Sequence, residues 1–180
     1  MKGTNHMIAG ACTAGCLVTS AVLQQNVGII PIAGMAVAAV VGSLFPDIDS
    51  RTSKLGKKMK IASFLASKFF GHRGFLHSPL FVVLTYLLCW VIFKHNGILE
   101  YSYIYGGFIA GMLMHLACDM TTKGGIPLLY PWDRGKFSIG TLASGSKWEF
   151  VSLIFVMVLA IGITALMVYN GIYLSNLLLM

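Results

Sequence analysis

Five stretches of this chain are long, apolar and free of charged side chains: residues 7–23, 27–45, 79–93, 101–118 and 150–169. A segment must be predominantly apolar over about 20 residues, with a range of roughly 17–25, to cross a bilayer as a helix. Four of the stretches meet that length as they stand. The 79–93 run meets it if Lys94 extends its ammonium to the interface while its stem stays in the apolar layer. With 57% of its 180 residues hydrophobic and 11% charged, the chain is far from the balance of a soluble domain. A soluble all-α core is the competing reading, and the run lengths disfavour it. The expectation is an all-α, polytopic membrane bundle of about five transmembrane helices, forming one membrane-embedded domain over 1–180. The first run lacks a convincing cleavage site and further runs follow it, so it reads as a retained helix, not a signal peptide.

Basic residues set the expected orientation. Arg51, Lys54, Lys57, Lys58, Lys60, Lys68 and Arg73 lie between the second and third runs. Lys123, Arg134, Lys136 and Lys147 lie between the fourth and fifth, and Lys2 precedes the first. Lys94 alone sits on the other side. This predicts a cytoplasmic N-terminus and two long cytoplasmic loops. The net charge of +7 then reads as orientation together with attraction to anionic lipid headgroups, and no motif accompanies it that would indicate a nucleic-acid partner. Within the first long loop, Leu55, Met59, Ala62, Ala66 and Phe69 recur at helical spacing opposite Lys57, Lys60 and Lys68, although Ile61 and Phe64 blur the polar side. The pattern predicts an amphipathic helix over 54–70 in the cytoplasmic interface, either a lid or lipid-gathering surface or a plain connector.

Small residues at four-residue spacing (Gly10 and Ala14; Gly34, Ala38 and Gly42; Gly107 and Gly111) predict close packing of the first, second and fourth runs, with the third and fifth outside. The four cysteines, Cys12, Cys16, Cys89 and Cys118, lie inside apolar runs and read as small buried residues.

Against this apolar background the polar residues fall at one depth. His6 opens the first run. Asp47 and Asp49 follow the second, in LFPDIDS, where Pro46 disfavours helix at Phe45. If the chain is extended there, side chains two apart point the same way. His72 and His77 lie in GHRGFLH, just before Ser78 and Pro79, which read as N-cap and first residue of the next helix. His115 and Asp119, four apart, share a helix face near the cytoplasmic end of the fourth run. His95 falls on the far side. Histidine and aspartate in an apolar helix are costly unless paired or bound to metal. Seven of them from four chain segments predict a metal site comprising His6, Asp47, Asp49, His72, His77, His115 and Asp119. Imidazole and carboxylate suit zinc, manganese or iron. Seven candidates imply two ions, or one ion plus supporting partners.

The second loop, TTKGGIPLLYPWDRGKFSIGTLASGSKWE, contributes Arg134 and Lys136, which with Arg73 could hold an anion or simply enforce topology. Trp132 and Trp148 read as interfacial anchors. Glu149 could complement a helix terminus or join the site, the latter slightly favoured.

Taken together, Asn-His ahead of the first run, FPDIDS, HRGFLHS, HLACDMTT and GIPLLYPW resemble the YdjM-like family, from about residue 5 to 135. These are bacterial inner-membrane proteins, some LexA-regulated, described as metal-dependent hydrolases. The resemblance implies the same seven-residue metal set, with no motif residue missing. By donor type the expected cofactor is one or two divalent ions, zinc or manganese first. The resemblance implies hydrolysis but no substrate. The combined expectation is a hydrolase at the cytoplasmic membrane face, cleaving a phosphoester of a lipid or other amphiphile. Asp49, His72, His77 and Arg73 would be catalytic, and Arg73, Arg134 and Lys136 would hold the substrate. A non-catalytic metal-binding structural or sensory protein, and less readily a small transporter, are the alternatives.

Overall fold

The structure, a computed structural model, describes residues 1–23, 28–71, 73–98, 102–140, 142, 143, 145, 146 and 148–178. Seven α-helices run through them: α1 (Gly3–Leu23), α2 (Ile29–Gly42), α3 (Lys54–Lys58), α4 (Lys60–Phe70), α5 (Pro79–His95), α6 (Ser102–Met120) and α7 (Trp148–Leu178). Two short 3-10 turns, Pro46–Asp49 and Phe75–His77, follow α2 and precede α5. Among the described residues the β-structure amounts to isolated bridges in the α6–α7 loop, Thr122 with Leu142 and Ile126 with Phe137. The chain is thus all-helical. Three stretches, Gly3–Leu23, Ile29–Asp49 and Trp148–Asn170, are long and apolar enough to cross a membrane, while apolar α5 is shorter. The remaining expected span corresponds to α6, which carries His115 and Asp119 within its last turns.

Close backbone approach organises the centre. A Cβ on Gly42 would stand 2.1 Å from the Phe108 carbonyl oxygen, and one on Gly111 would stand 2.0 Å from that of Ala39. These glycines therefore let α2 and α6 meet backbone to backbone, which is how small residues substitute for a hydrophobic driving force in lipid. Likewise a Cβ on Gly10 would collide with Ser43 Oγ, where α1 crosses the end of α2. The expected tight trio of α1, α2 and α6 is thereby observed, with α5 packed on α6 and α7 on α1. Two apolar clusters flank α6: Met1, Ala9, Met114, Cys118, Leu153 and Val156 on one side, and Val82, Met112, Leu116 and Ile126 on the other. The outward faces of α5 and α7 are apolar, with Val83, Leu87, Leu88, Phe155, Val158 and Leu166 all exposed.

Two local expectations change. The 54–70 segment is not one helix: Met59 leaves helical geometry (φ −108°, ψ 60°) and divides it into α3 and α4. Its large apolar side faces away from the rest of the chain. Ser63 is the buried position of α4, flanked by half-buried Ala62, Ala66 and Ser67, whereas Ile61, Phe64, Leu65 and Phe69 are exposed. Small residues allow α4 to approach the Pro46–Asp49 turn, which it contacts, and the bulky apolar groups point outward. Ile61 and Phe64, which seemed to blur a polar face, belong to this outward surface. The second change is at PDID. The chain there is a 3-10 turn, not an extended strand, and Phe45 is right-handed helical (φ −65°, ψ −43°) despite preceding proline. Hydrogen bonds from Leu44 N and Phe45 N to Val41 and Gly42 carbonyls continue the end of α2 into that turn.

Candidate metal centre

Four chain segments deliver the site. α1 contributes His6, the turn after α2 contributes Asp47 and Asp49, the turn before α5 contributes His77, and the last turns of α6 contribute His115 and Asp119. His6, His77, His115 and Asp119 are fully buried, and Asp49 is nearly so. His72 lies outside the described residues. His95 is exposed at the opposite end of α5, away from this cluster.

The two central histidines have their outer ring nitrogens occupied. His115 Nδ1 lies 2.7 Å from the Ser43 carbonyl oxygen, which can only accept, so Nδ1 carries the proton and Nε2 presents a lone pair. His77 Nδ1 lies 3.1 Å from Asp49 Oδ2, a carboxylate oxygen that also accepts from Arg73 N at 2.8 Å. The inner nitrogens, Nε2 of His77 and Nε2 of His115, then meet at 3.2 Å. Two lone pairs cannot face each other at that distance without a proton or a cation between them.

Carboxylates complete the cluster on either side of this pair. Asp119 Oδ2 lies 3.6 Å from His77 Nε2 and 3.7 Å from His115 Nε2, and Asp47 Oδ1 lies 3.7 and 3.9 Å from the same two atoms. Ligand atoms around a tetrahedral ion with bonds of about 2.0–2.2 Å stand about 3.3–3.6 Å apart, so both triangles are close to the size an ion requires. Asp119 divides its labour. Its Oδ1 receives the Met1 amino group, Arg73 Nη2 at 3.0 Å and His6 Nε2 at 3.4 Å. Its Oδ2, buried and facing the histidine pair, has no hydrogen-bond partner among the described residues. An orphaned buried carboxylate oxygen is expensive, and a cation between it and the imidazoles removes the cost. His6 stacks on His115 with centroids 3.7 Å apart and planes 15° from parallel. His6, Asp47 and His115 form a further group whose ligand atoms lie within 4.8 Å of one another, as do Asp47, Asp49 and His77. The donor set fits a divalent cation.

Burial opposes protonation of His77, but its contacts with the Asp47 and Asp49 carboxylates outweigh that, and its pKa is pushed up to about 9. Without an ion, a proton on His77 plays the cation's part.

The PDID turn explains how aspartates two residues apart serve one histidine. They do not point the same way but reach the two edges of the His77 ring, Asp47 at Nε2 and Asp49 at Nδ1. The basic residues are distributed differently from a simple anion rim. Arg73 bends inward, its guanidinium on Asp119 and, through Nη1, 3.3 Å from Thr122 Oγ1. It passes Gly124, where a Cβ would come within 1.6 Å of Nη1. Its backbone is left-handed at φ 56°, an uncommon state for a non-glycine residue, often found at functional sites. Lys136 lines a cavity beside the site; exposed Arg134 does not. Glu149 is buried with both oxygens engaged, Oε1 by Lys2 N at 2.5 Å and Asn5 Nδ2 at 2.8 Å, Oε2 by Gly145 N. It fastens the start of α1 to the start of α7 and is not one of the grouped ligands.

Several supporting residues carry no signal in the sequence. The Ser43 carbonyl is one. Phe75 is another, packed against Phe70, Phe81 and Tyr130 at centroid distances of 5.1, 5.1 and 5.6 Å, which fixes the loop carrying Arg73 and His77.

Helices long and apolar enough for a bilayer, enclosing buried imidazoles and carboxylates at one end, define a membrane protein with a site able to hold a metal ion. The YdjM inner membrane protein family matches residues 1–180, and the chain belongs to that family. It is 35% identical over 133 residues to the uncharacterized protein YvsG of Bacillus subtilis (strain 168), covering 73% of this chain and 74% of the relative. It is 32% identical over 120 residues to the inner membrane protein YdjM of Escherichia coli (strain K12), covering 63% of this chain and 61% of that protein. No solved structure matches.

Proposed function

We propose that this protein is a membrane-bound, metal-dependent hydrolase that cleaves a phosphoester of an amphiphilic substrate at the cytoplasmic face of a bacterial inner membrane. The observation that carries the reading is the pair of Nε2 atoms turned toward each other beside the orphaned Asp119 Oδ2. His77 and His115, with Asp119 and Asp47, would hold the ion, zinc or manganese by donor type. His6 and Asp49 would complete or support it. A divalent ion supplies Lewis acidity and acidifies water to near neutral pH.

The chain's own residues supply the rest. Asp49 fixes the His77 ring through Nδ1 and can hold or return a proton there. Arg73 keeps Asp119 aimed at the histidines. Asp47, its side chain 13% exposed, is the carboxylate through which substrate would meet the centre. That opening favours turnover over a closed, structural site, in which every coordination position belongs to protein. The basic residues clustered in two loops support a cytoplasmic location, and the outward apolar side of α4 suits a site fed from lipid.

Metal analysis of the purified protein, paired with phosphate release from a panel of lipid phosphoesters, tests the proposal. Wild type should contain at least one divalent ion per chain and release phosphate. Asp47→Ala and His115→Ala should lose metal and activity together. Metal retained without turnover across the panel would favour the non-catalytic alternative.

A further inference from the structure

Beside the metal centre, between the start of α1, the segment after PDID and the second loop, lies a cavity of about 570 Å³, within the usual size range of small-molecule sites. Its lining includes Asp47, Arg73, Lys2, Lys136, Ser50 and Thr52. Asp47 belongs to the centre as well, so cavity and centre are continuous through that carboxylate. The apolar grooves elsewhere, between α1 and α7 and between α2, α5 and α6, have no such polar lining.

The charges in this cavity are unevenly committed. Arg73 is spent on Asp119 and Thr122. Among the described residues, the Lys2 and Lys136 ammonium groups have neither an ion-pair nor a hydrogen-bond partner. They come from positions 134 residues apart in the sequence to one cavity that opens on the reacting centre. Ser50 Oγ and Thr52 Oγ1, 3.1 Å apart, add hydroxyl donors to the same wall.

We infer that this cavity is a phosphate-binding subsite whose cationic walls are Lys2 and Lys136, matched to the dianion of a phosphate monoester. The inference deepens the hydrolase reading and rests on it for the role of the bound group as substrate. Two uncommitted cations balance a terminal phosphate with two negative charges. A phosphodiester carries one, and would leave one ammonium unpaired. The Ser50 and Thr52 hydroxyls can donate to the phosphate oxygens, and Asp47 links the same cavity to the metal centre. Hydrolysis is balanced: water attacks phosphorus, the ester P–O bond breaks, the alcohol leaves with a proton, and inorganic phosphate remains in the subsite as product.

Binding of inorganic phosphate to the purified, metal-loaded protein, followed by calorimetry and by phosphorus NMR line broadening, is the direct test. Lys2→Gln and Lys136→Gln should each weaken phosphate binding about tenfold, and the double variant further, with metal content unchanged. Phosphate should also inhibit any turnover competitively, and monoesters should be cleaved in preference to diesters. Phosphate affinity unchanged in the double variant would overturn the subsite, as would preferential cleavage of diesters, while leaving the hydrolase standing. Lysine-dependent phosphate binding in a protein that cleaves nothing would uphold the subsite and sink the hydrolase.

Discussion

At the scale of single residues, the site depends on which ring nitrogen each histidine leaves inward. Ser43 and Asp49 make that choice by occupying Nδ1 of His115 and Nδ1 of His77. Partners of this kind orient a ligand and sharpen its basicity, and losing one costs a typical site about 10–100-fold in metal affinity. Asp49→Asn should therefore weaken zinc or manganese binding within that range while the fold persists, measured by competition with a chromophoric chelator. Asp119→Asn should do worse, because the negative charge is lost and the one remaining oxygen cannot both face the histidine pair and accept from Arg73. The His77 proton gives a second prediction. Its folded pKa of about 9 lies above the ordinary histidine value, so in metal-free protein its stabilising contribution is complete below about pH 6.5 and is lost as pH rises through 9. Thermal unfolding of metal-free protein should fall in temperature between pH 7 and pH 9.5. Metal-loaded protein should lack that decline, since the ion displaces the proton, and apparent metal affinity should rise over the same interval.

Helices place these atoms, and helix contacts place the helices. α6 carries two site residues and rests on α2 through Gly107 and Gly111, whose added Cβ atoms would come within 2.3 and 2.0 Å of carbonyl oxygens. Gly111→Ala, one turn from His115, forces the two backbones apart. We expect a loss of about 1–3 kcal/mol in stability, seen as a lower unfolding temperature in detergent, together with weaker metal binding because His115 moves with its helix. Gly106, next to Gly107 on the same helix but with open space at its Cβ, is the control and should tolerate alanine. Glu149 acts at the same scale. Its removal takes away the acceptor of two part-buried backbone N–H donors, at about 1 kcal/mol each, so Glu149→Ala should loosen α1 from α7 with little change in metal affinity per folded molecule. A large drop in affinity there would restore Glu149 to the site.

For the whole molecule, the arrangement of charge across the membrane is the testable quantity. Twelve of the thirteen lysines and arginines lie in the segments expected on one side. A cysteine introduced at Lys57 in a variant stripped of native cysteines should react with an impermeant maleimide in inside-out vesicles and not in right-side-out ones. One introduced at His95 should show the reverse. The same reaction at both positions on one side would contradict the orientation and with it the cytoplasmic site. The outward apolar residues of α4, next to Lys57, Lys58, Lys60 and Lys68, place a greasy and cationic surface beside the PDID turn.

Chain composition alone settled the helical class and the small-residue seam between α1, α2 and α6, because apolar run length and residue size are local properties. It also marked which histidines and aspartates had no cheap place in lipid; His6, Asp47, Asp49, His77, His115 and Asp119 do converge. What it did not contain was their division into roles. Arg73 turning inward, Asp47 and Asp49 taking opposite edges of one ring, Glu149 tying two helix ends, and α4 facing its bulky groups outward all depend on contacts between segments distant along the chain. Periodicity describes a residue's neighbours on its own helix, whereas the direction of a lone pair is fixed by whichever atom arrives from elsewhere.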